Sequence, residues 1–564
     1  MNTRQLIECV PNFSEGRDLM IIKKITDEIS SVENVLLLDV DPGKATNRTV
    51  VTFVGPPEAI VQAAYLAICK AGELIDMSKH TGEHPRMGAT DVCPLIPVSG
   101  ITMAETVAYA CKLGEMVGSN TDIPVYLYEE AATSDERKNL ATIRAGEYEG
   151  LAKKILDPAW KPDYGEPVFN VKSGATVIGA RDFLVAYNVN LNTTSVRRAN
   201  SVAFDVRENG RVKTDPLTGK NMTDSSGDPL REPGMCKAVK AIGWYIEEYG
   251  IAQISMNLTN IQQTPLHIAF DACCTSAAKR GLRVTGSELV GLVPKRVLTD
   301  AGKYFLKKQG RSAGLSEKEL IHIAVKSLGL EELGPFDPEK KIIEYLLEDK
   351  TKSQLVKMSL TDFANETASE SPAPGGGSVS AYIGSIGVAL GTMVANLSAH
   401  KKGWEDKLTF FSDWAEKGQV LKDRLLQLVN EDTEAFNKIM AAFKLPKNTD
   451  DEKNIRQKAI DDATKEAIEI PLAVMQTSLE ALVLIRDMAI HGNPNSVSDA
   501  GVGALCCRTA IHGAFLNVQI NCNGFSDTGF VKNAIVKGNA IFEQAMSLEK
   551  EIISIVMDLL KPEV

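Results

Sequence analysis

The 564-residue sequence has no excess of positive charge: 62 Lys and Arg stand against 73 Asp and Glu, a net charge of −11. That excludes a global basic surface for nucleic acid or acidic membranes, so an anionic ligand needs a local cationic pocket. Histidine is scarce, seven residues in all, which makes any clustering of it informative. Cysteine patterning is missing too. The ten cysteines are scattered, with adjacent pairs Cys273-Cys274 and Cys506-Cys507 but no CxxC unit, and read as reduced, mostly buried thiols. The opening residues, MNTRQLIECVPNF, enter strand-like sequence at once and lack the apolar stretch of a secretory signal, so a cytoplasmic location is expected. One run, residues 379–397, has the length of a membrane span, and no second such run is expected beside it. Its Gly, Ser and Ala content fits a buried bundle helix better, because small residues let helices approach closely.

What remains is ordinary for soluble globular protein, 44% hydrophobic and 24% charged, and the length predicts two to four domains. Up to about residue 335, β-branched runs alternate with amphipathic helical stretches. Strands are expected near residues 6–10, 35–40, 49–54, 124–127, 183–191 and 251–257, so this half is α/β or α+β. Residues 163–179, rich in Pro and Gly yet bearing Tyr164 and Phe169, read as a linker or a ligand loop. Residues 212–235 are polar and turn-rich and read as a disordered surface loop without chemistry. Beyond residue 340 the expected strands stop. Residues 408–443, 452–488, 498–522 and 533–560 all suit helices of a bundle, so the chain reads as two proteins fused end to end.

The densest chemistry in the first half is HTGEHPRMGATD, where two histidines, a glutamate, an arginine and an aspartate occupy twelve positions before an apolar run that reads as a strand. A histidine both accepts and donates a proton near neutral pH, so the loop is a candidate proton-transfer site. His80 and His84 stand at i and i+4, the spacing of a helical zinc site. Gly82 between them, Pro85 after them and Thr81 where a zinc protease has glutamate all oppose that reading. An ordered loop with backbone-bonded histidines is the remaining alternative.

In the second half, an apolar stripe runs Leu421, Leu425, Leu428, then Ala435 and Ile439, and Asp432 occupies the missing core-facing place. Burial disfavours a charged carboxylate, so its pKa is expected to rise toward the range useful for proton transfer. Satisfying a helix end or pairing with a lysine are the structural alternatives. SPAPGGGSVS adds a glycine run that opens a helix and offers bare backbone N–H groups to an anion or polar ring.

These residues carry a resemblance. ECVPNFSEGR, LLDVDPGKATNRTVVTFVGPP, IDMSKHTGEHPRMGATDVCPLIPV and IRAGEYEGLAKK resemble glutamate formiminotransferases, and SPAPGGGSVSAYIGSIGVALG resembles formiminotetrahydrofolate cyclodeaminases. The chain as a whole is similar to the bifunctional formiminotransferase-cyclodeaminase family. The resemblance implies an α/β (α+β) formiminotransferase half of two subdomains, 1–181 and 182–335, a linker 336–355, and an all-α helical-bundle cyclodeaminase half, 356–564.

It also implies two reactions in histidine degradation. The first moves the formimino group of N-formimino-L-glutamate to N5 of tetrahydrofolate. The second closes 5-formiminotetrahydrofolate to 5,10-methenyltetrahydrofolate and releases ammonia. By the family pattern His84 is the catalytic residue of the transfer, with His80 secondary, and Asp432 that of the cyclisation. Asp41 matches an acidic position near His84. Gly165, Glu166, Pro167, Val168, Phe169, Asn170, Val171, Lys172, Ser173 and Gly174 match the folate-contacting segment. At Asn430 the family form has aspartate, so a supporting carboxylate is absent here. Tetrahydrofolate is both carrier and substrate, no metal or nucleotide is expected, and the family assembles as octameric rings. His400, Lys401, Lys402 and Arg424 are candidate cations for a polyglutamylated folate. The competing expectation is a folate-binding scaffold with one or both sites inactive.

Overall fold

The computed structural model describes residues 5–44, 46–82, 85–224, 227–347 and 355–561. The chain forms two compact units. One comprises Met1–Val297 with Leu328–Glu348, and the other Leu298–Ser327 with Asp349–Val564.

Among the described residues, thirteen strands lie in the first unit: β1 Leu6–Cys9, β2 Asn12–Phe13, β3 Leu36–Gly43, β4 Arg48–Gly55, β5 Thr90–Ser99, β6 Val125–Glu129, β7 Thr176–Ala180, β8 Val185–Leu191, β9 Arg211–Val212, β10 Arg231–Glu232, β11 Val239–Ile246, β12 Ile251–Leu258 and β13 Val284–Val290. The first seven make one mixed sheet. β3 pairs β4, β4 pairs β1 and β2, both of these pair β5, and β5, β7 and β6 continue in parallel. Helices Leu19–Ser30, Pro57–Leu74 and Met103–Asn120 cover one face, burying Ile7, Cys9, Phe13, Val51, Phe53, Cys93 and Leu95. Because side chains alternate along a strand, Glu8, Asn12, Arg48 and Thr52 fall on the other face, among apolar neighbours such as Val54 and Val92.

The expected strands at 35–40, 49–54, 124–127 and 183–191 are β3, β4, β6 and β8, and the apolar run after the histidine loop is β5. β7 is a strand inside the stretch read as linker or ligand loop. All five of its residues are buried, so it shows no alternation.

A second, antiparallel sheet runs β11-β12-β8-β13. Helices Val196–Val206 and Leu266–Ala278 pack on it. Its buried polar residues bond to one another: Gln253 Nε2 donates to Asn190 Oδ1 at 2.8 Å, and Trp244 Nε1 donates to Gln253 Oε1 at 3.1 Å. Residues 212–235 were expected to be a disordered loop. Their described part forms an exposed ribbon instead, with β9 and β10 antiparallel and bridges Thr214–Asn221 and Thr223–Pro229 beyond them. Its Asp and Gly residues build turns: Asp215 accepts from Leu217 N at 2.8 Å, and Gly219 and Gly227 take positive φ.

The second unit is all-α, built on helices Gly376–Ala399, Leu408–Phe443, Asp450–His491, Val497–Cys522 and Thr528–Leu559. Leu298–Ser327 packs into it, although the expected boundary ran the preceding subdomain on to residue 335. Lys303 and Lys307 each reach Glu416 at 3.0 Å, and Ser312 Oγ donates to Asn396 Oδ1 at 2.7 Å. Helix Gly376–Ala399 is the buried bundle helix expected at 379–397, with 61% of its most apolar 18-residue window inside the fold. A second helix, Asp450–His491, passes the same length and hydropathy test, which the sequence reading did not anticipate, and 72% of its window is buried. Glycines let the helices touch. A Cβ on Gly387 would stand 2.7 Å from Cys507 Sγ, and one on Gly418 would collide with Thr392 Oγ1.

Candidate active site

In the first unit the histidine loop lines a cavity of about 530 Å³ together with a second segment far along the chain. His80, Thr81, Gly82 and Arg86 form one wall, and Gly146, Glu147 and Glu149 the other. Arg86 ties the walls together. It is buried, donating from Nη1 to Glu147 at 3.0 Å and to Glu149 at 2.9 Å, and from Nη2 to Glu149 at 2.7 Å. The paired guanidinium holds the Glu149 carboxyl below its usual range.

His80 is locked beside it. Arg86 Nε–H donates to His80 Nδ1 at 3.2 Å, so Nε2 carries the ring proton and donates it to the Asn47 carbonyl at 2.9 Å. With both ring nitrogens occupied, His80 offers neither a free base nor a metal lone pair. It positions the loop. Glu147, which lines this cavity, has a positive φ of 52°, and so does Asn47 at 48°, which bonds Thr81 and His80 of its wall, the kind of strain that persists where surroundings over-determine a site. Gly82 is obligatory here, since a Cβ would stand 2.3 Å from the Thr46 carbonyl oxygen. His84 lies outside the described residues, between Gly82 and Pro85, whose neighbour Arg86 anchors the far side.

The segment Gly165 to Gly174 joins the same region through Tyr148. Tyr148 N donates to the Arg86 carbonyl at 2.9 Å, its hydroxyl donates to the Val171 carbonyl at 2.5 Å, and its ring packs on Phe169 with centroids 5.4 Å apart. Asn170 organises the turn by accepting from Lys172 N and Ser173 N, while Lys172 Nζ donates to the Glu73 carbonyl at 2.6 Å. Gly165, at φ 84°, sits against Gly118, and Gly174, at φ 65°, bridges Gly88. Val168 and Val171 remain exposed. Asp41 is exposed on β3 opposite Val50 and does not line the cavity.

Sequence reasoning assigned no role to Glu147, Glu149 or Asn47, although IRAGEYEG and KATNRT contain them. It also passed over Glu8. This carboxyl is 4% exposed on β1, opposite Val54 and Ile96, and burial pushes it up to about 7, against the attraction of Arg181 and with the repulsion of Glu344. Glu8 has its own stability consequence. A folded pKa above the unfolded value of 4.5 means the native state binds this proton more tightly. Stability is therefore full below pH 4.5 and falls by about 3 kcal/mol as pH rises through 7. Glu8→Gln removes that loss, so its unfolding midpoint should exceed wild type at pH 8 and match it at pH 4. Thermal unfolding of both proteins at the two pH values measures this.

In the second unit Asp432 meets the start of helix Gly376–Ala399. Ser378 Oγ donates to Asp432 Oδ2 at 2.9 Å and lies 3.1 Å from Thr433 Oγ1, and Ser378 N–H also bonds the carboxyl. Leu421, Leu425, Leu428 and Ala435 are buried along the same stripe. Burial raises the Asp432 pKa, and the Ser378 bonds lower it less, so the net shift is upward. The acid thus does satisfy a helix end, and its pKa rises nonetheless. The glycine run makes the approach possible, because a Cβ on Gly377 would stand 2.2 Å from Asp432 Oδ1.

The other candidates in this unit are differently occupied. Asn430 Oδ1 is buried with no hydrogen-bond partner among the described residues. Arg424 is committed to Glu431, with contacts of 2.6 and 3.0 Å, and Lys401 lies over the Trp404 ring at 4.1 Å. His400 and Lys402 are exposed.

Comparison with known proteins also separates the chain near residue 348, although there Leu298–Ser327 falls with the first part. Residues 6–181 match the formiminotransferase domain, N-terminal subdomain, residues 186–348 the formiminotransferase domain, and residues 359–538 formiminotransferase-cyclodeaminase. A formimidoyltransferase-cyclodeaminase of Gallus gallus is 42% identical over 96% of this chain and 97% of that protein. A glutamate formimidoyltransferase of Thermoplasma acidophilum is 42% identical over 55% of this chain and 95% of its own length. A methenyltetrahydrofolate cyclohydrolase of Methylorubrum extorquens is 35% identical over 34% of this chain and 93% of its own length. With one relative aligned to nearly the whole length and others to its parts, the chain belongs to the formimidoyltransferase-cyclodeaminase family.

Proposed function

We propose that the chain performs two successive reactions on tetrahydrofolate, each in its own unit. In the first, N5 of tetrahydrofolate attacks the formimino carbon of N-formimino-L-glutamate, N5 loses its proton, and the glutamate nitrogen leaves protonated. His84 takes the first proton and delivers the second. The neighbouring arrangement supports this role: His80 is fixed by Arg86 and Asn47, and Glu147, Glu149 and Gly146 enclose the cavity that its loop lines. Gly165 to Gly174 hold the folate, with Phe169 and the exposed Val168 and Val171 as its apolar contacts.

In the second reaction N10 of 5-formiminotetrahydrofolate attacks the same carbon, its proton passing to the formimino nitrogen. That nitrogen gains one more proton and leaves as ammonia, and 5,10-methenyltetrahydrofolate remains. Asp432 supplies the last proton. The carrying observation is its geometry: a half-buried acid with raised pKa, set against helix-start backbone bare of side chains at Gly376 and Gly377. The place of both reactions is histidine degradation. The protein acts in the cytoplasm as a homo-oligomer, an octameric ring by family likeness, and takes polyglutamylated folate.

The test supplies formiminoglutamate and tetrahydrofolate, follows methenyltetrahydrofolate by absorbance and assays ammonia separately. Stoichiometric appearance of both supports the reading, whereas glutamate release without either leaves a transferase alone. Gly377→Ala sharpens it. Its methyl group would displace the Asp432 carboxyl, so cyclisation of supplied 5-formiminotetrahydrofolate should fall about 10²-fold while formimino transfer persists. Separate assays of the two half-reactions check this.

A further inference from the structure

Two consecutive glycines open helix Gly376–Ala399, and each faces a different polar side chain. A Cβ on Gly377 would strike Asp432, whereas one on Gly376 would come 3.3 Å from Asn517 Nδ2 and 3.8 Å from Asn517 Oδ1. Successive Cα atoms are about 3.8 Å apart, so an acid and an amide flank one peptide's length of bare backbone.

The amide is oriented. Asn517 Nδ2 donates to the Gly513 carbonyl at 2.8 Å, a partner that can only accept, which leaves Oδ1 as the acceptor end of the group. The two helices are pinned at this level. Ser380 Oγ donates to the Gly376 carbonyl at 2.6 Å, and a Cβ on Gly513 would collide with that same hydroxyl.

From this we infer that Asn517 is a specificity-determining residue of the cyclisation, its Oδ1 accepting an N–H of the nitrogen that Asp432 protonates. The inference rests on the reading of Asp432 as the acid of this site. In the adduct formed when N10 attacks, the formimino nitrogen is an amino group. It needs a proton from one side as its bond to carbon breaks, and it presents N–H groups to the other. A carbonyl oxygen suits that second side. The corresponding formyl compound has an oxygen there, which carries lone pairs and no hydrogen, so Oδ1 faces it unfavourably. Asn517 thereby selects a formimino over a formyl group on N5.

The experiment compares full-length wild type with Asn517→Leu, which keeps bulk and loses the acceptor, and Asn517→Asp, which keeps an acceptor oxygen. Two quantities are read: kcat/KM for 5-formiminotetrahydrofolate and the inhibition constant of 5-formyltetrahydrofolate. Their product measures discrimination. Asn517→Leu should lower kcat/KM 10- to 100-fold without weakening inhibition, so that discrimination falls at least tenfold, whereas Asn517→Asp should retain most of it. Formimino transfer and thermal unfolding of each variant serve as folding controls. Unchanged kcat/KM in the leucine variant, or equal weakening of turnover and formyl binding, would overturn the inference. If Asp432→Asn cyclised at the wild-type rate, the reading of the site would fail instead, a result distinguishable from any outcome at Asn517.

Discussion

Asp432→Asn lowers the cyclisation of supplied 5-formiminotetrahydrofolate by about 10²–10⁴-fold, the usual contribution of a positioned general acid, equivalent to about 3–5 kcal/mol of barrier. The substitution keeps the shape and the acceptor oxygen for Ser378 and removes only the titratable proton. Ammonia is then expelled without a proton in place. Because burial raises the Asp432 pKa, the wild-type acid holds its proton to higher pH than an exposed aspartate. The cyclisation rate should therefore decline as pH rises through that raised value, and the asparagine variant should lose this limb of the profile. Transfer should stay within about twofold of wild type, since the two reactions are assigned to separate units. A pH–rate series with each half-reaction assayed separately measures both expectations.

His84→Ala produces the opposite pattern. Formimino transfer falls by about 10²–10⁴-fold, because proton removal from N5 and proton delivery to the glutamate nitrogen lose the same group. Cyclisation of supplied intermediate continues. His80 does not substitute for it, since its Nδ1 accepts from Arg86 and its Nε2 donates to Asn47, and breaking either bond would loosen the wall of the cavity. His80→Ala should thus impair transfer through loop position, weakening substrate binding as well as turnover. A variant at His80 that matched His84→Ala in turnover with unchanged KM would reverse the assignment of roles.

The parts of this account that were legible in the sequence are those carried by local periodicity. The helix expected over residues 408–443 is Leu408–Phe443, and the one expected over 498–522 is Val497–Cys522. Both follow from apolar spacing at 3.6 residues. The same spacing singled out Asp432, because an acid on an apolar stripe breaks a local pattern. What that acid touches is not local. Its contact with Ser378 and its clearance over Gly377 span more than fifty residues, and the Arg86 bonds to Glu147 and Glu149 span more than sixty.

β7 escaped notice for a related reason. It is a five-residue strand buried on both faces, with Gly179 forced by the nearby Tyr128 ring, and it offers neither alternation nor length. The segment Leu298–Ser327 belongs to helices Lys295–Lys308 and Glu317–Leu328, and an amphipathic helix does not declare which core its apolar stripe joins. Glu8 lies in a four-residue strand too short to show alternation, and its interest comes from burial beside Arg181 and Glu344, neighbours far away in the chain.

The most direct test of two separate sites is the product that accumulates when Asp432→Asn protein is given formiminoglutamate and tetrahydrofolate. Chromatography of the folates should show 5-formiminotetrahydrofolate building up in step with released glutamate, with little methenyltetrahydrofolate and little ammonia. Methenyltetrahydrofolate and ammonia at the wild-type rate, or loss of glutamate release in a folded and assembled variant, would contradict it.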